Sequence, residues 1–147
     1  NLYGMGAPVS EALAKKEIYK MADAYDMPSV QIDGMDVLEV RETTQEVADY
    51  VRSGKGPYFV EAKTYRFRGH SMADPAEYRT KIEEQRWQMK DPIASYKEWL
   101  LDNRCATEAE LAGLALSAEK DVDEAVKFAD ESPNPPLSAL YENVYAL

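Results

Sequence analysis

Apolar and polar positions alternate over Ser29-Val30-Gln31-Ile32-Asp33, and Tyr58-Phe59-Val60-Glu61-Ala62-Lys63 is a second strand-like run. Between them Val37, Val40, Thr44, Val47 and Val51 recur at steps of three and four, which is one face of an amphipathic helix. Asp36, with Glu39 three residues on, has capping-box spacing at its start, and Gly54 suits the position just past its end. Strand, helix and strand joined by short turns predict a βαβ unit with parallel strands and a right-handed crossover. Upstream, residues 10–25 are rich in Ala, Lys, Glu and Met and predict one or two short helices. Met27-Pro28 stops them, because the residue before proline avoids the helical region.

After residue 79 the pattern is helical only. A short charged helix is expected over 80–89. Asp91-Pro92 then reads as an N-cap followed by proline in the first turn, ahead of Ile93, Tyr96, Trp99 and Leu100. Thr107 and Glu110 have capping-box spacing at the head of a long helix, with Leu111, Leu114, Ala118, Val122, Ala125 and Ala129 at helical intervals. Its acids Glu119, Asp121, Asp123 and Glu124 read as a solvated outer face, with a carboxylate metal cluster as the alternative. Ser132-Pro133-Asn134-Pro135-Pro136 is a hinge before a final amphipathic piece over 137–147 carrying Leu140, Tyr141, Val144 and Tyr145. The fold class is therefore α/β: a parallel sheet with flanking helices and a helical C-terminal tail. Residues 1–79 form the βαβ core with its loops, and residues 80–147 the tail.

The 147 residues suit one domain, and 45% hydrophobic content allows a core. With 27 acidic against 17 basic residues the net charge is -10, which argues against a general nucleic-acid binder and against an anionic membrane surface. No run is apolar enough to span a bilayer. Cys105 is the single cysteine, so no internal disulfide forms, as in a reducing compartment, and it reads as structural.

Chemistry concentrates in Thr64-Tyr65-Arg66-Phe67-Arg68-Gly69-His70-Ser71-Met72-Ala73-Asp74-Pro75. Periodicity stops there, directly after the second strand, so the segment is a loop at a strand's carboxyl end, where open α/β sheets bind ligands. Arg66, Arg68, the sole histidine His70 and Gly69 are suited to holding a phosphorylated anion; a solvated basic turn is the alternative. At the N-terminus Gly4 and Gly6 flank Met5 in a non-periodic stretch that permits close backbone approach to a ligand, or is simply a loop.

That loop resembles the phosphorylation-loop region of pyruvate dehydrogenase alpha subunits, in the thiamine diphosphate-dependent 2-oxo acid dehydrogenase family. Asn1-Leu2-Tyr3-Gly4-Met5-Gly6 resembles the closing half of the family's cofactor motif. Val30-Gln31-Ile32-Asp33-Gly34-Met35-Asp36-Val37, Gly54-Lys55-Gly56-Pro57, Asp91-Pro92-Ile93 and Tyr141-Glu142-Asn143-Val144-Tyr145 follow in family order, so the resemblance covers essentially the whole chain. It implies the C-terminal part of a thiamine diphosphate-binding fold, with Mg²⁺, at an interface with a beta subunit in an alpha/beta heterotetramer. Asn1 would offer its side-chain oxygen and Tyr3 its backbone carbonyl to the metal. His70 would contact the diphosphate side and assist acyl transfer, while Arg66 and Arg68 would order the loop. The implied reaction is oxidative decarboxylation of pyruvate, the product of glycolysis, with the two-carbon unit passed to the lipoyl domain of dihydrolipoyl acetyltransferase.

Two expectations follow from where the sequence departs from the family pattern. The Gly-Asp-Gly half of the motif, which carries the carboxylate ligand of Mg²⁺, is absent, so the chain is expected to be the C-terminal part of a longer subunit and inactive alone. Ser71 matches the principal site phosphorylated in animal mitochondrial relatives. The other two sites fall in Asp74-Pro75-Ala76-Glu77-Tyr78-Arg79 and at Pro8, where serine is missing. With Arg68 in place of a histidine, this looks like a bacterial cytoplasmic or plastid stromal subunit without kinase control. Acetoin and branched-chain 2-oxo acid dehydrogenase alpha subunits are the enzyme alternatives, although Gly69-His70-Ser71-Met72-Ala73-Asp74-Pro75 favours pyruvate. A non-catalytic acidic helical assembly module is the alternative of another class. Trp87, Trp99 and Tyr141 are expected either in ordinary packing or at a subunit interface.

Overall fold

A computed structural model describes residues 1–145 and divides the chain into two compact units, Asn1–Trp99 and Leu100–Leu147. The first unit opens with an antiparallel pair, Tyr3–Gly4 (β1) and Ala7–Pro8 (β2). Tyr3 faces Pro8 and Gly4 faces Ala7, so Met5-Gly6 is a two-residue turn. One helical turn, Val9–Ala12 (α1), follows. The remainder of the expected 10–25 helix is a 3₁₀ segment, Ile18–Tyr25. Eight residues close too few hydrogen bonds to enforce an α-helix, so packing decides. Ala22 is buried, and Glu61 reaches across to accept the Tyr19 N–H at 2.9 Å.

The parallel pair is present as expected. Ser29–Asp33 (β3) lies beside Phe59–Lys63 (β4), with Ser29 opposite Phe59 and Asp33 opposite Lys63. Val37–Arg52 (α2) connects them and rests against β3. Asp36 Oδ1 caps α2 by accepting from Leu38 N at 2.9 Å and Glu39 N at 3.1 Å. The reciprocal half of the expected capping box is not made, because the Asp36 N–H is donated to the Asp33 carbonyl at 3.1 Å in the tight exit from β3. Gly54 follows the C-cap with φ of 81°, as a left-handed helix terminator should. The inward face of α2 is rotated from the expected stripe. Val40, Thr43, Val47 and Tyr50 are half-buried, while Val37, Thr44 and Val51 are exposed. Tyr50 sets this rotation by meeting Tyr58 edge-on, with ring centroids 5.4 Å apart, a contact no valine could replace.

The core is small: Ala22, Ile32, Met35 and Tyr65 are its buried apolar residues. Gly34 lets the end of β3 approach the start of the following loop. Its N–H reaches the Lys63 carbonyl at 2.7 Å, and a Cβ there would stand 2.6 Å from Thr64 Cγ2. Lys81–Gln88 (α3) begins at Thr80, whose hydroxyl accepts from Glu83 N at 3.1 Å. Trp87 on α3 stacks flat on Tyr65, centroids 5.1 Å apart, and so belongs to ordinary packing. Pro92–Asp102 (α4) is capped by Asp91, which accepts from Ile93 N at 2.8 Å. Trp99 stacks on Tyr96 at 5.8 Å.

In the second unit Glu108–Glu131 (α5) carries the full capping box of Thr107 and Glu110. Leu111 is half-buried, whereas Leu114, Val122 and Val126 are exposed, as are the acids Glu119, Asp121, Asp123 and Glu124. Lys120–Glu124 and Lys127–Glu131 pair along the helix at 3.5 and 3.8 Å. Leu137–Tyr141 is a short 3₁₀ segment with Tyr141 exposed. It realises only the first part of the piece expected over 137–147, of which Ala146 and Leu147 lie outside the described residues. Among the described residues no helix is long and apolar enough to cross a membrane.

Ile32 is the buried residue of β3, 5% exposed. Ile32→Ala should cost about 2–4 kcal/mol in chemical denaturation, the usual cost of emptying a core site. A loss below about 1 kcal/mol would show that this sheet does not anchor the unit.

Candidate functional site

Two segments of the first unit come together. The first is the N-terminal turn. Asn1 Oδ1 accepts the Tyr3 N–H at 2.9 Å, and the Leu2 carbonyl accepts from Val9 N at 2.9 Å. Leu2 and Met5 both occupy left-handed backbone, with φ of 67° and 55°, which non-glycine residues adopt at a cost. The Tyr3 phenol donates to Glu83 Oε1 on α3 at 2.8 Å. Burial, reinforced by that carboxylate, pushes the Tyr3 hydroxyl up to about 12. A cleft of about 600 Å³ opens beside the turn, lined by Asn1, Tyr3, Gly4, Ser10, Lys16 and Lys63 among others.

The second segment is the loop after β4. Asp74 organises its tip. Its carboxylate accepts from His70 N at 2.6 Å, Ala76 N at 2.8 Å and the Tyr78 hydroxyl at 2.8 Å. The His70 amide bond is the leading cause holding this carboxyl below the usual range; the Ala76 and Tyr78 bonds and the Arg66 charge act the same way. Gly69 is required here, since a Cβ would come within 2.6 Å of the Asp74 carbonyl. Arg66 braces the loop. Its Nε donates to the Arg68 carbonyl at 3.1 Å, and its Nη2 to the Met5 carbonyl at 2.9 Å and the Tyr78 hydroxyl at 3.0 Å.

Arg79 closes the loop from behind and is the buried charged residue of the described chain, 7% exposed. Its guanidinium donates to the carbonyls of Arg66 and Phe67, the latter at 2.9 Å, and to Glu84 Oε1 at 3.0 Å. It lies 5.2 Å from the Tyr65 ring centroid and 5.9 Å from that of Tyr78. The Tyr65 hydroxyl is buried without a hydrogen-bond partner, and burial raises its pKa.

Of the residues singled out from sequence, Asn1 and Tyr3 are bonded to each other, and Arg66 joins their turn to the loop. His70 is fixed through its backbone N–H, with the residue exposed. Ser71 is exposed and its carbonyl accepts from Asp74 N at 3.2 Å. Arg68 contributes its carbonyl to Arg66, and the residue is exposed. Tyr78, Glu83 and the structural role of Arg79 were not read from sequence. The crowding of Tyr78 and Arg79 directly after a loop rich in charge was the available signal. Asn1 and Tyr3 line the cleft, and a side-chain amide oxygen and a backbone carbonyl are oxygen ligands of the kind Mg²⁺ takes.

A strand-borne loop is braced against the N-terminal turn in an α/β unit, at the strand end where such folds place ligand sites. Residues 1–138 match the family model described as dehydrogenase E1 component, and the chain belongs to that family. The family is thiamine diphosphate-dependent. The chain is 47% identical over 146 residues to the chloroplastic pyruvate dehydrogenase E1 component subunit alpha-3 of Arabidopsis thaliana, covering 99% of this chain and 34% of that protein. It is 46% identical to the chloroplastic alpha-3 subunit of Oryza sativa, over 99% of this chain and 34% of that protein. It is 41% identical to the alpha subunit of Rickettsia felis, over 99% of this chain and 44% of that protein. The chain thus spans between about a third and under half the length of these relatives.

Arg79→Lys keeps the charge but loses the planar fork that reaches two carbonyls and Glu84. It should cost about 3 kcal/mol in denaturant unfolding and speed tryptic cleavage after Arg68. Wild-type stability and cleavage in this variant would remove Arg79 as the loop's anchor. Asp74 predicts a pH dependence. Its folded pKa is depressed, so the stabilisation it gives is complete above the ordinary carboxylate range and is lost as pH falls through the depressed value. Followed by hydrogen exchange, the His70 amide should stay protected down to about pH 4 and open only below it. Opening at higher pH would contradict this.

Proposed function

We propose that this chain is the C-terminal portion of the thiamine diphosphate-binding domain of a pyruvate dehydrogenase alpha subunit, with residues 1–79 carrying the cofactor loops and residues 80–147 a helical tail. The observation that carries the reading is the bracing of the Asn1–Tyr3 turn against the His70 loop by Arg66 and Tyr78, in a chain so similar to named alpha subunits. Bound thiamine diphosphate supplies the electron sink for decarboxylating a 2-oxo acid. Asn1 Oδ1 and the Tyr3 carbonyl would hold Mg²⁺, a hard cation that takes oxygen ligands. His70 would lie on the diphosphate side and would handle a proton during acyl transfer. Arg66 and Asp74 keep the His70 backbone in place, so that the imidazole pivots on a fixed stem. Ser71, beside it, is a position where a phosphate would add up to about two negative charges and repel the diphosphate.

In this reading the domain works with a beta subunit in an alpha/beta heterotetramer, takes pyruvate, and delivers the acetyl unit to the lipoyl domain of dihydrolipoyl acetyltransferase. The chloroplastic names among the relatives support a plastid stroma, and the Rickettsia relatives support a bacterial cytoplasm.

The test uses the longest natural polypeptide containing this sequence, together with its beta subunit. Pyruvate-dependent reduction of an artificial electron acceptor should require thiamine diphosphate and Mg²⁺, and His70→Ala should lower kcat by about 10²-fold or more. Turnover of acetoin or branched-chain oxo acids alone would move the substrate and keep the cofactor. Full activity in His70→Ala would remove His70 from the catalytic role.

A further inference from the structure

We infer that Glu83 is a positioning residue for metal binding: from the first turn of α3 it fixes the side chain of Tyr3 and so aims the Tyr3 carbonyl. The inference rests on the cofactor site proposed above and adds a residue 80 positions away in sequence. The Tyr3 phenol donates to Glu83 Oε1 at 2.8 Å. The strand pairing explains why the carbonyl needs such a lever. In an antiparallel ladder, hydrogen-bonded and non-hydrogen-bonded pairs alternate. Val9 N donates to the Leu2 carbonyl at 2.9 Å, so the next pair, Tyr3 with Pro8, is non-hydrogen-bonded, and Pro8 has no N–H to give. The Tyr3 carbonyl therefore points away from β2, and the ladder does not hold it. Gly4 comes next, with nothing within 4 Å of where a Cβ would stand, so no side-chain crowding on that side fixes the peptide plane.

Tyr3 is held at its N–H, which donates to Asn1 Oδ1 at 2.9 Å, at its ring, 5.4 Å from the Tyr78 centroid, and at its hydroxyl. A tilted ring contact lets the side chain slide, whereas a hydrogen bond to a carboxylate fixes its far end. Glu83 is itself a fixed point. The Thr80 hydroxyl accepts the Glu83 N–H at 3.1 Å, and the neighbouring Glu84 is bound by Arg79 at 3.0 Å and by Lys81 at 2.9 Å. One turn further along α3, Trp87 lies flat on Tyr65. Side chain and carbonyl share one Cα, so anchoring the phenol limits the swing of the peptide plane that presents the oxygen. Partners that orient a metal ligand typically contribute about ten- to a hundredfold in metal affinity.

Glu83→Gln keeps an oxygen acceptor for the phenol, Glu83→Ala removes it, and Tyr3→Phe removes the donor while leaving the backbone carbonyl. The longest natural polypeptide with its beta subunit is titrated with Mg²⁺ by calorimetry in saturating thiamine diphosphate. Glu83→Ala and Tyr3→Phe should each weaken Mg²⁺ binding by about tenfold, and the two together still by about tenfold rather than about a hundredfold. Glu83→Gln should weaken it by less than about threefold, and kcat at saturating Mg²⁺ should change less than affinity in every variant. Additive losses overturn the inference. So does a Glu83→Gln variant as weak as Glu83→Ala, because charge rather than contact would then decide. Without metal or cofactor, hydrogen exchange in 1–8 should rise several-fold in Glu83→Ala and stay at the wild-type rate in Glu83→Gln; an unchanged segment in Glu83→Ala overturns the inference as well. Failure of the wild type to bind Mg²⁺ would sink the proposed function instead, while the exchange data would still decide whether Glu83 holds the turn.

Discussion

Everything at this site depends on a guanidinium taken out of water. Arg79 lies between two tyrosine rings and donates its planar fork to two consecutive loop carbonyls and one carboxylate. A buried charge is costly unless every donor is matched, and here the matching partners are the backbone of the loop itself. The charge and the loop conformation are therefore mutually required. The loop cannot leave without stripping Arg79 of two of its three acceptors. The small core around Ile32, Met35 and Tyr65 could not fix a twelve-residue excursion through apolar contact alone.

The basic residues of the loop divide by task. Arg66 and Arg79 act on carbonyls and on carboxylates of their own chain. Arg68 and His70 are the ones exposed. A cluster of cations in sequence had looked like equipment for an incoming anion. In space, half of it is scaffolding that sets the aim of the other half. The acidic side shows the same economy: Asp74, the loop's own carboxylate, is turned inward onto backbone N–H groups and a phenol.

How much could be read from sequence follows the range of the forces involved. The parallel pair, α2, the Asp36, Asp91 and Thr107 caps and the Gly54 terminator are local consequences of residue order, and each stands where periodicity or capping chemistry placed it. The departures are all tertiary. The face of α2 turned because Tyr50 found Tyr58. The capping box at Asp36 lost its second half to the Asp33 carbonyl. The 18–25 segment tightened to 3₁₀ where packing outweighed a few intrahelical bonds. At the site, the loop and its Asn1–Tyr3 counterpart were legible as motifs. Tyr78 and Glu83 were not, because their importance lies in partners some seventy to eighty residues away, which no spacing rule encodes.

The left-handed Met5 has a consequence for anyone who improves this protein by selection for robustness. Glycine at that position would relax a conformation that costs an L-residue roughly 1 kcal/mol or more, so a screen on heat tolerance would favour it. Glycine would keep the backbone carbonyl that Arg66 holds but would add backbone freedom to the turn that presents it. Thermal hardiness and the bracing of the turn against the loop are thereby set against each other at a single codon, and an engineer reading only melting temperatures would choose the wrong allele.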